Sequence, residues 1–425
     1  LRKEVGVGFV LQLAGAIAAE MLKAFFADYF FPVMCLLVIT FISSHYRVYS
    51  ELQEEIYGSP GIGLKQVAEK LILTGLVAGF AVSFLTVAAG ITIETDTIRY
   101  LFYIMCLLML FDLRFVSFPY AAGLLAAASY IFDKLEVNVP SLLCLAAILQ
   151  MLEAFLVFVS RKSGYIPVYL HHDGEIAGAF LIRRFWIIPV VFLTYLLQPG
   201  TLLPEGMAGL PLPFVPRSLA GAAGALGLDC MMALFCHSDI SIATQPEKRS
   251  ARSAAALFIY GSILMALALI SRNVGWVGCV GAVFCIAGRE GISVWSLTEE
   301  KRRAPLFSAV RRGLRVLDVL PGSNAQLMGI MRGDIILSIN NMDIQTEEGI
   351  GEALKGFPVY TWIKVLRNDE EKLLEYRCYP DGYNTLGIIT VPREKEVTYR
   401  IAWLENMSII RNIVNRFRSN IDRQV

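Results

Sequence analysis

The side chains able to do chemistry are few, and their spacing does not assemble a catalytic site. The chain holds four histidines, His45, His171, His172 and His237, and eight cysteines. A hydrolytic zinc site of the membrane-protease kind needs His-Glu-x-x-His on one helical face, to hold the metal and activate water. None of the four histidines has that spacing. His171-His172-Asp173 has the composition of a ligand cluster, but Gly174 and Glu175 continue it as a turn, so it reads as an exposed pair. No Gly-x-Ser-x-Gly elbow, no Gly-Asp-Ser-Gly-Gly, and no phosphate-binding or dinucleotide glycine loop occurs. Seven cysteines (Cys35, Cys106, Cys144, Cys230, Cys236, Cys279, Cys285) sit in apolar runs, where Cys behaves as a small hydrophobe. With no Cys-x-x-Cys pair, neither a disulfide framework nor a zinc site is expected. Asp112, Glu153 and Asp229 interrupt apolar runs and are functional candidates by default, yet each lies toward one end of its run, within reach of headgroups or water. The expectation is a protein that is not an enzyme and has no metal or cofactor.

The elements that would carry such residues are dictated by composition. Of 425 residues, 56% are hydrophobic and only 18% charged, with a mean hydropathy of +0.56. Soluble domains carry about a quarter charged residues. The net charge of +1 gives no bias toward nucleic acid. A spanning helix needs about 20 mostly apolar residues. The runs Tyr29–Ser44, Leu71–Ala89, Arg99–Leu113, Phe115–Phe132, Pro140–Ser160, Phe185–Leu203, Ser218–Cys236, Ala254–Ser271 and Val274–Gly288 read as spans. Val5–Ala27, interrupted by Glu20 and Lys23, either inserts or lies at the interface. The expected fold is therefore a polytopic α-helical membrane bundle of about eight to ten spans. Lys and Arg accumulate on the cytoplasmic side. Loops with Arg47, Lys65 and Lys70, with Arg161, Lys162, Arg183 and Arg184, and with Lys248, Arg249 and Arg252 alternate with loops poor in positive charge. That alternation puts everything after Gly288 in the cytoplasm. A transporter would show internal repeats and broken helices; no repeat is evident.

After Arg303 the pattern changes to short strands and turns. Gly313 to Ala325 runs through a strand, then Pro321-Gly322-Ser323-Asn324-Ala325, then Gly329-Ile330 and Gly333-Asp334-Ile335-Ile336-Leu337-Ser338-Ile339-Asn340. Pro321-Gly322 turns the chain, Ala325 to Met328 give one helical turn closed by Gly329, and Asn340-Asn341 suits the positive φ of a hairpin. Thr346–Leu354 reads as a Thr-capped helix, and Trp362–Leu366 and Leu373–Cys378 as strands. This order resembles the PDZ family, a small β-sandwich or barrel with helices. The resemblance implies that an extended peptide adds as a strand beside the helix. The candidate groove residues are Leu306 and Phe307, Ile350 and Leu354, and Leu386, Gly387 and Ile388. Two stretches compete for the family's carboxylate-binding turn. Ala304-Pro305-Leu306-Phe307-Ser308 stands in the usual order but loses an amide at Pro305. Thr385-Leu386-Gly387-Ile388-Ile389 has the better pattern but stands at the far end, as in a circular permutation.

The domain map is thus a bundle over 1–288, a basic juxtamembrane linker over 289–303, a PDZ domain over 304–392, and a tail over 393–425. In the tail, Trp403, Met407, Ile410, Val414 and Phe417 recur at helical spacing with Arg411, Arg416 and Arg418 on other faces. This basic amphipathic helix would lie on anionic lipid, dock on a partner or pack on the PDZ domain. The chain as a whole also resembles the MinJ family of PDZ-containing division-site proteins of Firmicutes. The likeness rests on Ile166-Pro167-Val168-Tyr169 with Glu175 to Phe180, Ser238-Asp239-Ile240 with Thr244-Gln245-Pro246, Pro305-Leu306-Phe307, the PDZ core, and Leu386-Gly387-Ile388-Ile389. It implies a scaffold at cell poles and septa that bridges DivIVA and MinC–MinD and contacts membrane lipids but no nucleic acid. The alternatives are a regulatory or adaptor subunit for proteolysis and a transporter with a PDZ regulatory domain.

Overall fold

The computed structural model describes residues 2–27, 64–111, 117–132, 134–172, 175–195, 226–355, 359–377 and 386–392, with isolated positions between them. The tail over 393–425 and most of Tyr29–Ser44 lie outside the described residues. Among the described residues the first part of the chain forms seven helices: α1 (Arg2–Ala27), α2 (Leu64–Ala88), α3 (Thr95–Phe111), α4 (Phe118–Ile131), α5 (Val139–Val159), α6 (Pro246–Ser271) and α7 (Gly275–Arg302). Among the described residues α5, α6 and α7 are long and apolar enough to cross a membrane. The starts of α5 and α6 follow local chemistry. Asn138 accepts from the Ser141 amide at 3.3 Å with Pro140 in the first turn of α5, and Pro246 opens α6. The ambiguous N-terminal segment is a helix whose Leu13, Ile17 and Met21 form one buried stripe, leaving Lys23 to pair with Glu20 at 3.4 Å. The basic linker expected over 289–303 is instead the continuation of α7 as far as Arg302.

Two of the expected spans are not helices. Phe185–Tyr195 is the second half of a long strand, β2 (Glu175–Tyr195), and Leu226–Cys236 is the first part of β3 (Leu226–Ser241). They pair antiparallel in unbroken register from Phe180 with Ser241 to Tyr195 with Leu226. A continuous apolar run does not by itself distinguish a buried strand from a buried helix. The discriminating features are the β-branched and aromatic content of Phe185 to Tyr195 and the proline within it, Pro189. Backbone in an apolar surrounding must find partners inside the protein. On the α2 side, Val191 receives them from the helix: its amide donates to Ser83 Oγ at 2.8 Å and its carbonyl accepts from Thr86 Oγ1 at 2.6 Å. Leu193 exchanges backbone bonds with Ile91 and Ile93. Gly75 and Gly79 make this approach possible, since a Cβ at either would fall 2.0 Å from Ile187 O or 2.3 Å from Pro189 O.

The strand β1 (Tyr165–His172) forms a hairpin with the first part of β2, from Tyr165 opposite Ile182 to His172 opposite Glu175. His171 and His172, expected in an exposed turn, are thus the last two residues of β1. The second sheet is built from β5 (Leu314–Val319), β6 (Ile335–Ile339), β7 (Met342–Asp343), β8 (Tyr360–Arg367), β9 (Glu370–Arg377) and β10 (Ile388–Thr390), in the order β10-β5-β6-β8-β9 with β7 on β6. The helices α8 (Asn324–Met328) and α9 (Glu347–Ala353) cover it. Asn340 and Asn341 take φ of 48° and 64°, and Gly329 ends α8 at 82°, as the turn chemistry requires. Asp334 explains the Gly-Asp motif. Its buried carboxylate accepts the Met331 amide and a two-pronged bond from Arg367 at 2.7 and 2.6 Å, and those bonds raise the Arg367 pKa.

Candidate functional site

The candidate groove would run between the edge strand β10 and the helix α9. The loop ahead of β10 is lashed down: the Leu386 carbonyl accepts from the Ala325 amide at 3.0 Å, and the Gly387 carbonyl from the Leu320 amide at 2.9 Å. Gly387 has φ of +73°, and a Cβ there would fall 2.4 Å from Ser323 Cβ, so the close turn requires glycine. Leu386, Ile350 and Leu354 lie in one apolar cluster with Ile388 packed against it. Five of the seven candidate residues are therefore together: Ile350, Leu354, Leu386, Gly387 and Ile388. Ile350 and Leu354 are floor rather than open wall, with Leu354 only 1% exposed. An aspartate at either would put a carboxylate in the domain core. The open wall belongs to Glu347 and Gly351. Glu347 accepts from Thr390 Oγ1 across the groove, and a Cβ on Gly351, one turn further along α9, would meet nothing within 4 Å.

Leu306 and Phe307 are elsewhere. Phe307-Ser308 is strand β4, paired with Gly178 and Ala177 of β2. The Leu306 amide donates to the Ile242 carbonyl at 3.0 Å. Phe307 belongs to a second apolar cluster with Ile176 and Phe180 from β2, Leu317 from β5, Ile389 from β10 and Val391 just past it. The PDZ-like sheet thus rests its back on the hairpin β1–β2. Gly178 allows the contact, because a Cβ there would fall 2.5 Å from Leu317 Cδ1. The composition of the strands held a signal for this. Val316 and Leu317, and Ile388 and Ile389, make both faces of β5 and β10 apolar, and a sheet apolar on both faces needs covering twice.

Polar groups pin the same junction. Arg332 reaches Asp318 at 2.5 Å, Glu247 of α6 at 2.8 Å and the Tyr165 hydroxyl at 2.9 Å, and its guanidinium lies over the Tyr165 and Phe180 rings at 4.9 and 5.3 Å. Burial alone would lower the Arg332 pKa, but Asp318 and Tyr165 outweigh it and raise it, so the cation persists. Burial raises the Tyr165 pKa, and that hydroxyl donates to Glu247 at 2.9 Å. Behind the junction, Arg249, 1% exposed, is held by Asp239 at 2.9 Å and Glu300 at 3.4 Å. Glu300 also accepts the Ile242 and Ala243 amides and the Thr244 hydroxyl. The Ser238-Asp239-Ile240 and Thr244-Gln245-Pro246 motifs therefore build the corner where β3 turns into α6 and the domain hangs.

Of the three interrupting carboxylates, Glu153 is fully buried and paired with Arg289 at 2.6 Å, and Asp229 accepts the Cys230 amide at 2.7 Å. Asp112 lies outside the described residues. Among the described residues, no group of His, Cys, Asp and Glu that could hold a metal ion comes together. His171 is exposed at the end of β1.

The edge strand, adjoining helix, glycine turn and buried Gly-Asp corner define a PDZ domain carried on a largely apolar body. The PDZ domain family matches residues 315–367. The chain is also similar to the cell division topological determinant MinJ of Bacillus subtilis (strain 168), at 24% identity over 222 residues. That match covers 52% of this chain and 53% of the relative, so the chain spans about half the length of the curated relative it matches.

Proposed function

We propose that the protein is a non-enzymatic membrane scaffold whose PDZ domain takes up an extended segment of a partner along β10, in the placement of the division site. The observation that carries the reading is the groove. Leu386, Gly387 and Ile388 are turned and fixed beside α9, with open space at Gly351. A strand edge beside a helix is suited to peptide addition.

The membrane reading draws support from α7. Trp276 and Trp295 are both largely exposed. Nineteen positions apart (295 − 276), they stand about 28 Å from each other at 1.5 Å per residue, close to the thickness of a bilayer's hydrocarbon core. Aromatic side chains at that spacing suit the two interfaces. Exposed Phe155, Phe158, Phe258, Ile259 and Val283 would face lipid rather than water. The similarity to MinJ supports division-site partners, and the family resemblance points to DivIVA and the MinC–MinD pair as the proteins bridged.

The test is crosslinking and affinity purification of the tagged full-length chain from native membranes, beside a Gly351→Phe variant. The phenyl ring would fill the groove from an open position and spare the core. Division proteins captured by wild type and lost from the variant are the expected result. Equal capture by both would remove the groove as the contact, and recovery of a protease without division proteins would overturn the scaffold reading.

A further inference from the structure

The hairpin β1–β2 does more than support the PDZ domain from behind. Along β10 the backbone alternates. The Gly387 carbonyl and the Val391 amide bond to Leu320 and Arg315 on the β5 side. Two-residue periodicity then turns the polar groups of Ile388 and Thr390 toward the outer edge, the side on which a peptide strand would pair. The register shift between Ile389 and Thr390 skips Leu317 on β5, leaving the alternation of β10 intact.

That outer edge is already engaged. Tyr169 of β1 donates its hydroxyl to the Thr390 carbonyl at 2.7 Å. On the groove side the Thr390 hydroxyl is tied to Glu347. Ile389 and, just past the strand, Val391 are fixed in the hairpin cluster with Phe180 and Phe307. Among the described residues of β10, Ile388 offers an edge pairing position clear of these contacts.

We propose that Tyr169 sets the length of strand the groove accepts. With its hydroxyl on Thr390, an added peptide pairs at Ile388 alone. Pairing onward to Thr390 displaces Tyr169, so longer ligands compete with the docking of the PDZ domain on the hairpin. The inference rests on the peptide-binding reading above, and Tyr169 acts on selectivity rather than on the groove's capacity to bind.

The test uses full-length protein in lipid nanodiscs and a phage-displayed library of random peptides with free C-termini. Selection is run on wild type and on Tyr169→Phe, which keeps the ring and its packing and removes only the hydroxyl. Selected sequences are then synthesised in short and long forms and their affinities measured by fluorescence anisotropy. A competing hydrogen bond of ordinary strength corresponds to about a two- to tenfold change in affinity. The expected result is a long form that binds Tyr169→Phe that much more tightly than wild type, while the short form binds both alike. Identical length dependence in the two proteins overturns the role of Tyr169 and leaves peptide binding standing. Failure of both proteins to select any peptide that Gly351→Phe excludes overturns the peptide-binding reading and this inference with it.

Discussion

At the scale of single residues, the most constrained side chains serve the architecture of the body. Glu153 is wholly buried on α5 and Arg289 nearly so on α7, and their contact at 2.6 Å joins two helices. Gln150 donates to the other Glu153 oxygen at 3.1 Å, and His237 of β3 stands 3.9 Å away. An intact buried pair adds little net stability, but removing one partner strands a charge and costs about 3–5 kcal/mol. Arg289→Met is therefore expected to lower the detergent unfolding midpoint sharply, and Glu153→Gln to do the same. The double variant Glu153→Gln/Arg289→Met should recover a large part of the loss, because neither charge is left alone. Full additivity of the two single losses would show that the pair does not act as a unit. Several arginines that resemble a topological charge signal have such internal partners. Arg184 bonds to the Ser163 carbonyl and to Ser250, and Arg249 to Asp239 and Glu300. Charge patterning alone does not distinguish a cation facing headgroups from one closing an internal corner.

At the scale of elements, the contact of α2 with β2 decides whether the central strands can be buried. Gly79 and Gly291 are both helical glycines, yet their surroundings are opposite: Pro189 O lies 2.3 Å from a Cβ on Gly79, and nothing lies within 4 Å of one on Gly291. Alanine is the better helix former by about 0.8–1.0 kcal/mol. Gly291→Ala should then leave the midpoint unchanged or raise it slightly, whereas Gly79→Ala should lower it by parting α2 from the Val191 bonds. Equal behaviour of the two variants would mean that α2 has slack against β2. This contact also marks where the sequence was hard to read. The PDZ strands, their Asn turn, the Thr346 cap and the Gly329 helix end were all legible, because each depends on neighbours a few residues away. The nature of Phe185–Tyr195 was not, because its partner strand begins at Leu226 and its edge is completed by Ser83 and Thr86. For the candidate groove, Leu386 to Ile388 and the α9 side chains were legible from local pattern. Tyr169, Gly178 and Arg332 were not, because their roles arise only when the hairpin and the PDZ sheet meet. Phe307 shows the ambiguity most directly: an apolar residue ahead of β5 suits a groove loop and a docking strand equally well, and only the pairing with β2 separates them.

At the scale of the whole molecule, the question is whether the PDZ domain is tethered or docked. A tethered domain would move freely on its linker, but here the segment between α7 and β5 is short and contains β4, which pairs with the hairpin. Arg332 is the polar centre of that junction, joining Asp318 of its own domain to Glu247 of α6 and Tyr165 of β1. Asp318 is buried, so removal of the cation takes away the guanidinium that faces its carboxylate at the seam. Arg332→Ala should therefore open the seam while the PDZ core survives, since Leu314, Val316, Ile336, Ile339, Ile363 and Val365 pack together independently of it. Arg332→Lys should restore only part of the effect, because a single ammonium does not reproduce the forked bonds to three partners. Hydrogen exchange of the full chain in nanodiscs separates the cases. Faster exchange at the Leu306 amide, with protection retained at β6 and β8, is the expected pattern. Loss of protection throughout the domain would make Arg332 a support of the PDZ fold itself, and an unchanged pattern would show that the apolar seam of Phe180, Phe307, Leu317 and Ile389 holds the domain unaided.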